Sequence, residues 1–170
     1  MRYLSPISSD DYLKFIEDND IQLTTNNNYN REKYFGESKN FFLVEHFNIN
    51  DPELLKTFFE ISEKLNSILN SEYGDGSIYN LQFSLLPPKS KIKKHYDDGL
   101  IFTLANRIHL PITTNNEVLF FIGDQKFNLK TNQLVEINNK KMHSVINNSD
   151  QSRIHLIMDY LPLKYAKYLN

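Results

Sequence analysis

The stretch Lys94-His95-Tyr96-Asp97-Asp98-Gly99 sets an imidazole and a carboxylate two residues apart. On an extended strand, residues i and i+2 face the same way, so His95 and Asp97 can converge on one point. Asp98-Gly99 beside them reads as a turn. Downstream, Lys141-Met142-His143-Ser144-Val145-Ile146-Asn147 offers a second imidazole at the start of a strand-like run, just after the turn signal Asn138-Asn139-Lys140. His95, Asp97 and His143 together make two histidines and one carboxylate. That donor set covers one face of an Fe(II) ion and leaves positions open for a chelating co-substrate and O2. The chain has no cysteine, so disulfides, zinc–thiolate sites and a cysteine nucleophile are excluded.

Arg153 lies ten residues beyond His143, in Ser152-Arg153-Ile154-His155-Leu156. A guanidinium can take a carboxylate at two points. On the strand after the distal histidine it could hold the far carboxylate of 2-oxoglutarate, leaving the keto-acid end to the metal. Arg107 and His109 fall on one face of a strand. A cation facing inward is costly unless paired. With Arg153 assigned to the co-substrate, Arg107 is expected to meet a carboxylate or amide oxygen of the substrate, unless Glu117 or Asp159 neutralises it. His155 shares a face with Arg153 but reads more simply as a hydrogen-bonded core histidine. His46, after an apolar run, reads as structural.

The elements that must position these residues differ between the two halves of the chain. Asp10 onward, after Ser8-Ser9, reads as a short capped helix, and residues 19–40 as an Asn-rich loop. Residues 41–47 form a short apolar strand. Asp51-Pro52-Glu53 opens a helix whose apolar positions run from Leu54 to Leu69. From residue 77 seven strand-like runs follow, separated by Asn, Asp, Gly and Pro turns. This predicts one domain over 1–170: an N-terminal helical layer (1–76) packed on a jelly-roll core (77–162). The 170 residues carry a net charge of −2 and no basic block, which argues against a nucleic-acid partner. The sequence shows neither a signal peptide nor a membrane-spanning run, so a cytoplasmic protein is expected.

Four segments in this order resemble the aspartyl/asparaginyl β-hydroxylase family of 2-oxoglutarate- and Fe(II)-dependent oxygenases. They are Phe83-Ser84 leading through Pro87-Pro88 to His95, Arg107-Ile108-His109-Leu110, His143 to Asn147, and Arg153 to Tyr160. The resemblance spans about residues 80–162. It implies a mainly β (α+β) fold, a double-stranded β-helix of the jelly-roll or cupin-like kind. It implies iron on His95 and His143, with Asp97 completing the set; part of the family has glycine there. It further implies Arg153 and Ser84 on the distal carboxylate of 2-oxoglutarate, His109 near the iron-bound end, and Arg107 facing the substrate or co-substrate. The implied reaction consumes O2 and 2-oxoglutarate, releases succinate and CO2, and hydroxylates the β-carbon of an Asp or Asn residue, or a free amino acid. The partners would be an amino acid, peptide or protein. A different reading is a cupin-like module that holds a metal and binds or isomerises a small molecule without oxidising it. An arginine ten residues past the last ligand serves no purpose in that second reading.

Overall fold

The computed structural model describes residues 1–25 and 36–168. The segment read as an Asn-rich loop lies partly outside these; within them, Thr24–Thr25 (β2) pairs with Lys39 and Asn40. Strands β1 (Arg2–Pro6), β3 (Lys39–Glu45) and β4 (Asn48–Ile49) and helices α1 (Asp10–Asp18), α2 (Pro52–Ile61) and α3 (Glu63–Tyr73) make up the rest of the N-terminal half. The strands β5 (Gly76–Leu86), β6 (Lys91–His95), β7 (Asn106–Thr113), β8 (Val118–Ile122), β9 (Gln125–Phe127), β10 (Gln133–Ile137), β11 (His143–Asn147) and β12 (Arg153–Pro162) follow, with a short helix α4 (Leu100–Leu104) and a closing 3-10 turn, Leu163–Tyr168.

The expected long helix after Asp51 begins as its sequence dictates. The Asp51 side chain accepts from the Leu54 N–H at 3.0 Å and proline occupies the first turn. It breaks at Ser62, whose backbone (φ −106°, ψ 17°) leaves the helical range, so two helices form in place of one. The second stops at Gly74, where φ is +74°, a conformation that glycine adopts without steric cost.

The strands pair antiparallel in two sheets. The large one runs β1-β10-β7-β12-β5-β3-β2, with β4 added on β3; the small one runs β6-β11-β8-β9. This corrects the expected double-stranded β-helix. Both sheets are open, with β1 and β2 at the ends of one and β6 and β9 at the ends of the other, and the fold is mixed α/β. The N-terminal half accounts for the difference. Residues 1–76, expected as a helical layer, also supply β1 to β4, which extend the large sheet at both edges far past the width of the small one.

The site depends on one regularity of the large sheet. Along β12, Leu156, Met158 and Tyr160 join the cluster formed with Phe15 of α1, Phe58 of α2 and Leu65 and Leu69 of α3. The alternate residues Arg153, His155, Ile157 and Asp159 must take the other face, towards the small sheet. β5 and β7 repeat the pattern: Leu81, Phe83, Ile108 and Leu110 pack under the helices, while Asn80, Gln82, Ser84, Arg107 and His109 alternate with them. A second cluster, with Leu86, Val135 and Ile137 from the large sheet and Ile92, Phe120 and Val145 from the small one, fills the space between the sheets.

Asn147 joins these layers at the end of β11. Its buried amide donates to the carbonyls of Pro87 (2.9 Å) and Gln151 (2.8 Å), with Leu86 O at 3.2 Å, and its carbonyl accepts from the N–H and hydroxyl of Ser149. This one side chain fixes the turn that leads from the strand of His143 to the strand of Arg153. Asn147→Ala strands several buried polar groups at once and is expected to cost about 3 kcal/mol in a urea unfolding experiment.

Candidate active site

His95 ends β6 and His143 begins β11, and the two are directly paired across the ladder. The rings lie 4.3 Å apart, centroid to centroid. Each Nδ1 sits beside the carbonyl two residues earlier: His95 with Lys93 O at 2.7 Å, His143 with Lys141 O at 2.9 Å. A carbonyl only accepts, so Nδ1 carries the hydrogen and Nε2 presents its lone pair. The two Nε2 atoms lie 3.7 and 4.0 Å from the Asp97 carboxylate, and one donor atom from each of the three residues falls within 4.8 Å of the others. Burial pushes the His143 pKa down, which keeps the ring neutral and ready to bind a metal; the ring stacks on Phe120. Two imidazoles and a carboxylate, with no sulfur, suit Fe(II).

Arg107 does not wait for a partner from outside. Its Nε and Nη2 donate to the two oxygens of Asp159 at 2.8 and 2.9 Å, and its Nη1 donates to Asp97 Oδ2. Burial alone would lower its pKa, but the two carboxylates hold it above the ordinary arginine value. The expectation that Arg107 meets the substrate rested on its lacking an internal anion; Asp159 and Asp97 supply two. Glu117, the other acid considered, is exposed in the turn before β8. The signal for Asp159 was available, since an acid six residues after Arg153 on one strand shares its face.

Arg153 is the opposite case. It is 1% exposed, and among the described residues its Nε has no hydrogen-bond partner, while Nη1 reaches only the Ser84 carbonyl at 3.5 Å. Burial pushes its pKa down to about 9. It lines a cavity between the sheets together with Ser84, His109, His95, His143 and Arg107. Asp97 stands at the same group through its contacts with His95, His143 and Arg107. All seven residues singled out in the sequence are therefore neighbours of one site. Sequence reasoning missed Asn40 and Gln82, which also line the cavity; the Gln82 carbonyl oxygen is buried without a partner among the described residues. Gln82 shares the parity of Ser84, and that was the usable signal. His155 sits behind the cavity, with its Nδ1 3.3 Å from that of His109. His46 lies exposed at the β3–β4 turn, its ring 5.2 Å from that of Tyr79.

A family model described as aspartyl/asparaginyl beta-hydroxylase matches residues 8–162. The chain belongs to that family. The match takes in almost all of the N-terminal half, which the sequence motifs alone left unplaced. With the triad of His95, Asp97 and His143, it makes this an enzyme of the 2-oxoglutarate- and Fe(II)-dependent dioxygenase class, with a hydroxylase-type site. A search of curated proteins gives no match. Among solved structures, a prolyl-4-hydroxylase from Pseudomonas putida is similar at TM-score 0.62 and 14% identity, covering 95% of this chain and 91% of its own. A Trichoplax adhaerens prolyl hydroxylase in complex with a hypoxia inducible factor peptide fragment gives 0.61 and 12%, covering 95% and 81%. The viral collagen prolyl hydroxylase of Paramecium bursaria Chlorella virus-1, in a 2-oxoglutarate complex, gives 0.57 and 13%, covering 94% and 96%. At such identities the likeness concerns the fold. No helix among the described residues is long and apolar enough to cross a membrane.

The two inner histidines set an acid limit. Burial, then the Arg153 charge, holds His109 and His155 well below the ordinary histidine pKa. The unfolded chain therefore takes up protons below about pH 6.5 that the folded chain refuses, so stability falls as pH drops through that value. Urea midpoints of the metal-free protein should decline from about pH 7 to about pH 5, with each histidine adding a slope that approaches about 1.4 kcal/mol per pH unit. His155→Gln, which cannot titrate, should make the decline shallower.

Proposed function

We propose that this enzyme hydroxylates the β-carbon of an aspartate or asparagine, in a peptide or as a free amino acid. Fe(II) would be held by His95, Asp97 and His143, and 2-oxoglutarate by Arg153. The observation that carries the co-substrate assignment is the buried Arg153 guanidinium, which has no anion of its own inside a cavity that also contains the triad. An isolated buried charge is unfavourable, and a carboxylate arriving from solvent removes the penalty. Ser84, on the strand paired with β12, lines the same cavity, and its hydroxyl would serve as a second donor. His109, held neutral by burial, lines the same cavity with an uncharged ring that would suit the keto-acid end.

When bound, the iron and 2-oxoglutarate supply the oxidising chemistry: O2 is consumed, 2-oxoglutarate leaves as succinate and CO2, and a C–H bond becomes C–OH. The protein's own part is placement and exclusion. The carbonyls of Lys93 and Lys141 fix the tautomer and direction of both imidazoles. Phe120, Val145 and Ile157 line the cavity with apolar surface that keeps water from the reacting groups. The family description favours Asp or Asn as the residue modified. The likeness to a prolyl hydroxylase solved in complex with a peptide fragment favours a peptide over a free amino acid. The family match over residues 8–162 supports the hydroxylase over the cupin-like binding module.

Three experiments test this reading. With Fe(II), ascorbate and 2-oxoglutarate, succinate release should be stimulated by Asp- or Asn-containing peptides or by the free amino acids. Stimulation by none of them, or only by apolar compounds, would remove the substrate assignment. Arg153→Met should act in opposite directions on two readouts. It should weaken 2-oxoglutarate by about thirty-fold or more, since losing a charge-paired arginine costs about 2–5 kcal/mol. It should also raise the melting temperature of the ligand-free protein, because a buried unpaired charge is gone. In the wild type, 2-oxoglutarate affinity should fall as pH rises through about 9, where Arg153 loses its proton.

A further inference from the structure

We propose that Asp159, acting through Arg107, is a positioning residue for Asp97, holding that carboxylate in the orientation a metal needs. The inference rests on the metal reading above.

The three members of the triad are not held alike. His95 and His143 lie in paired strands, with their rings fixed by the Nδ1 contacts. Asp97 lies past the end of β6, in an irregular stretch before Gly99 and α4. Its backbone has one anchor, an N–H donated to the Asn139 carbonyl at 3.1 Å. A short acid on such a stretch has free rotamers, and a ligand that must be ordered at binding weakens the site by the entropy lost.

The order comes from the opposite sheet. Asn80, Asp159 and Arg107 sit side by side on three adjacent strands, β5, β12 and β7, each directly opposite the next. Asp159, fully buried, accepts from the Asn80 amide at 2.8 Å and from Arg107 at two points. A planar guanidinium gripped at Nε and Nη2 has a fixed plane, so its Nη1 points in one direction. It points across the gap between the sheets to Asp97 Oδ2. The Phe102 ring, 5.2 Å from the guanidinium carbon, covers the same group. Oδ2 is thus committed to Arg107, which sets the direction of Oδ1, 3.7 Å from His95 Nε2. The chain extends outward as well. The Asn80 side-chain oxygen Oδ1 accepts from the His46 N–H at 2.9 Å, in a β3–β4 turn where His46 and Phe47 both take positive φ (52° and 66°). Two consecutive non-glycine residues in that region are strained and persist only where surroundings impose them.

Charge also assigns the order of roles. Arg107 lies between two carboxylates, so Asp97 shares its cation with Asp159. Without Asp159 the whole guanidinium charge would fall on Asp97 and compete with a metal for it.

Co(II), which binds such sites and absorbs in the visible, reads the outcome without turnover. Asp159→Asn, with the Arg107 two-point grip lost, should weaken Co(II) binding by about 10–100-fold and alter the Co(II) absorption bands. Arg107→Lys keeps the charge but not the fork, and should do the same, which guards against one variant failing to fold. In an Asp97→Ala background, Asp159→Asn should add nothing further, because both act through one carboxylate. Unchanged affinity and spectrum in both single variants, or full additivity with Asp97→Ala, would overturn the proposal while leaving the metal site intact. Co(II) binding that survives His143→Ala at wild-type strength would instead overturn the metal reading, and the positioning role with it.

Discussion

A guanidinium buried between two sheets must find an anion, and the two arginines on the inner face of the large sheet meet that demand differently. Arg107 is answered from within by Asp159 and Asp97. Arg153 is answered by nothing among the described residues beyond a distant carbonyl. Satisfied charge holds a structure in place, whereas unsatisfied charge stores a preference for a ligand. The same strand, β12, carries Asp159 and Arg153 six residues apart on one face, so a single element bears both the acid that pairs with Arg107 and the unpaired cation of the cavity.

Burial on both faces makes this possible. β12 is covered by helices on one side and by the small sheet on the other. The helix-facing residues, Leu156, Met158 and Tyr160, secure the strand by apolar contact and leave the alternate positions free to be polar. The aromatic contacts of Phe58 with Tyr12, Phe15 and Phe83, at 5.7, 5.7 and 6.3 Å, belong to that supporting layer and lie on the face away from the site. A polar inner face is tolerable because its groups bond to one another in rows across the strands, as Asn80, Asp159 and Arg107 do.

Local chemistry was the part of this design legible in the sequence. The seven strand runs after residue 77 fall where β5 and β7 to β12 form, because Asn, Asp, Gly and Pro mark their ends. His95, Asp97 and His143 could be grouped because one pair is two residues apart and the third follows a turn. Less was legible where tertiary partners decide. β1 (RYLSP) carries no alternation of its own and becomes a strand by pairing with β10. β6 (KIKKH) has one buried apolar residue and is fixed by β11. Nothing in the helical spacing from Leu54 to Leu69 announced the break at Ser62. The expected closed roll failed for a similar reason, since β1 to β4 add to the large sheet only once its edges exist. The pairing of Arg107 needed a choice between Glu117 and Asp159, and cross-strand register, which no single segment encodes, made it.

The pairing of His95 directly with His143 has a consequence for assembly. Imidazoles on neighbouring strands meet only when those strands are aligned correctly; displaced by one position, one ring would turn to the outer face of the small sheet. A metal that needs both rings therefore binds the properly aligned chain and no misaligned one. Its binding energy is added to that alignment alone. Such an ion would act as a proofreader of the narrow four-stranded sheet, whose edge strand β6 has little apolar content of its own to specify where it should lie.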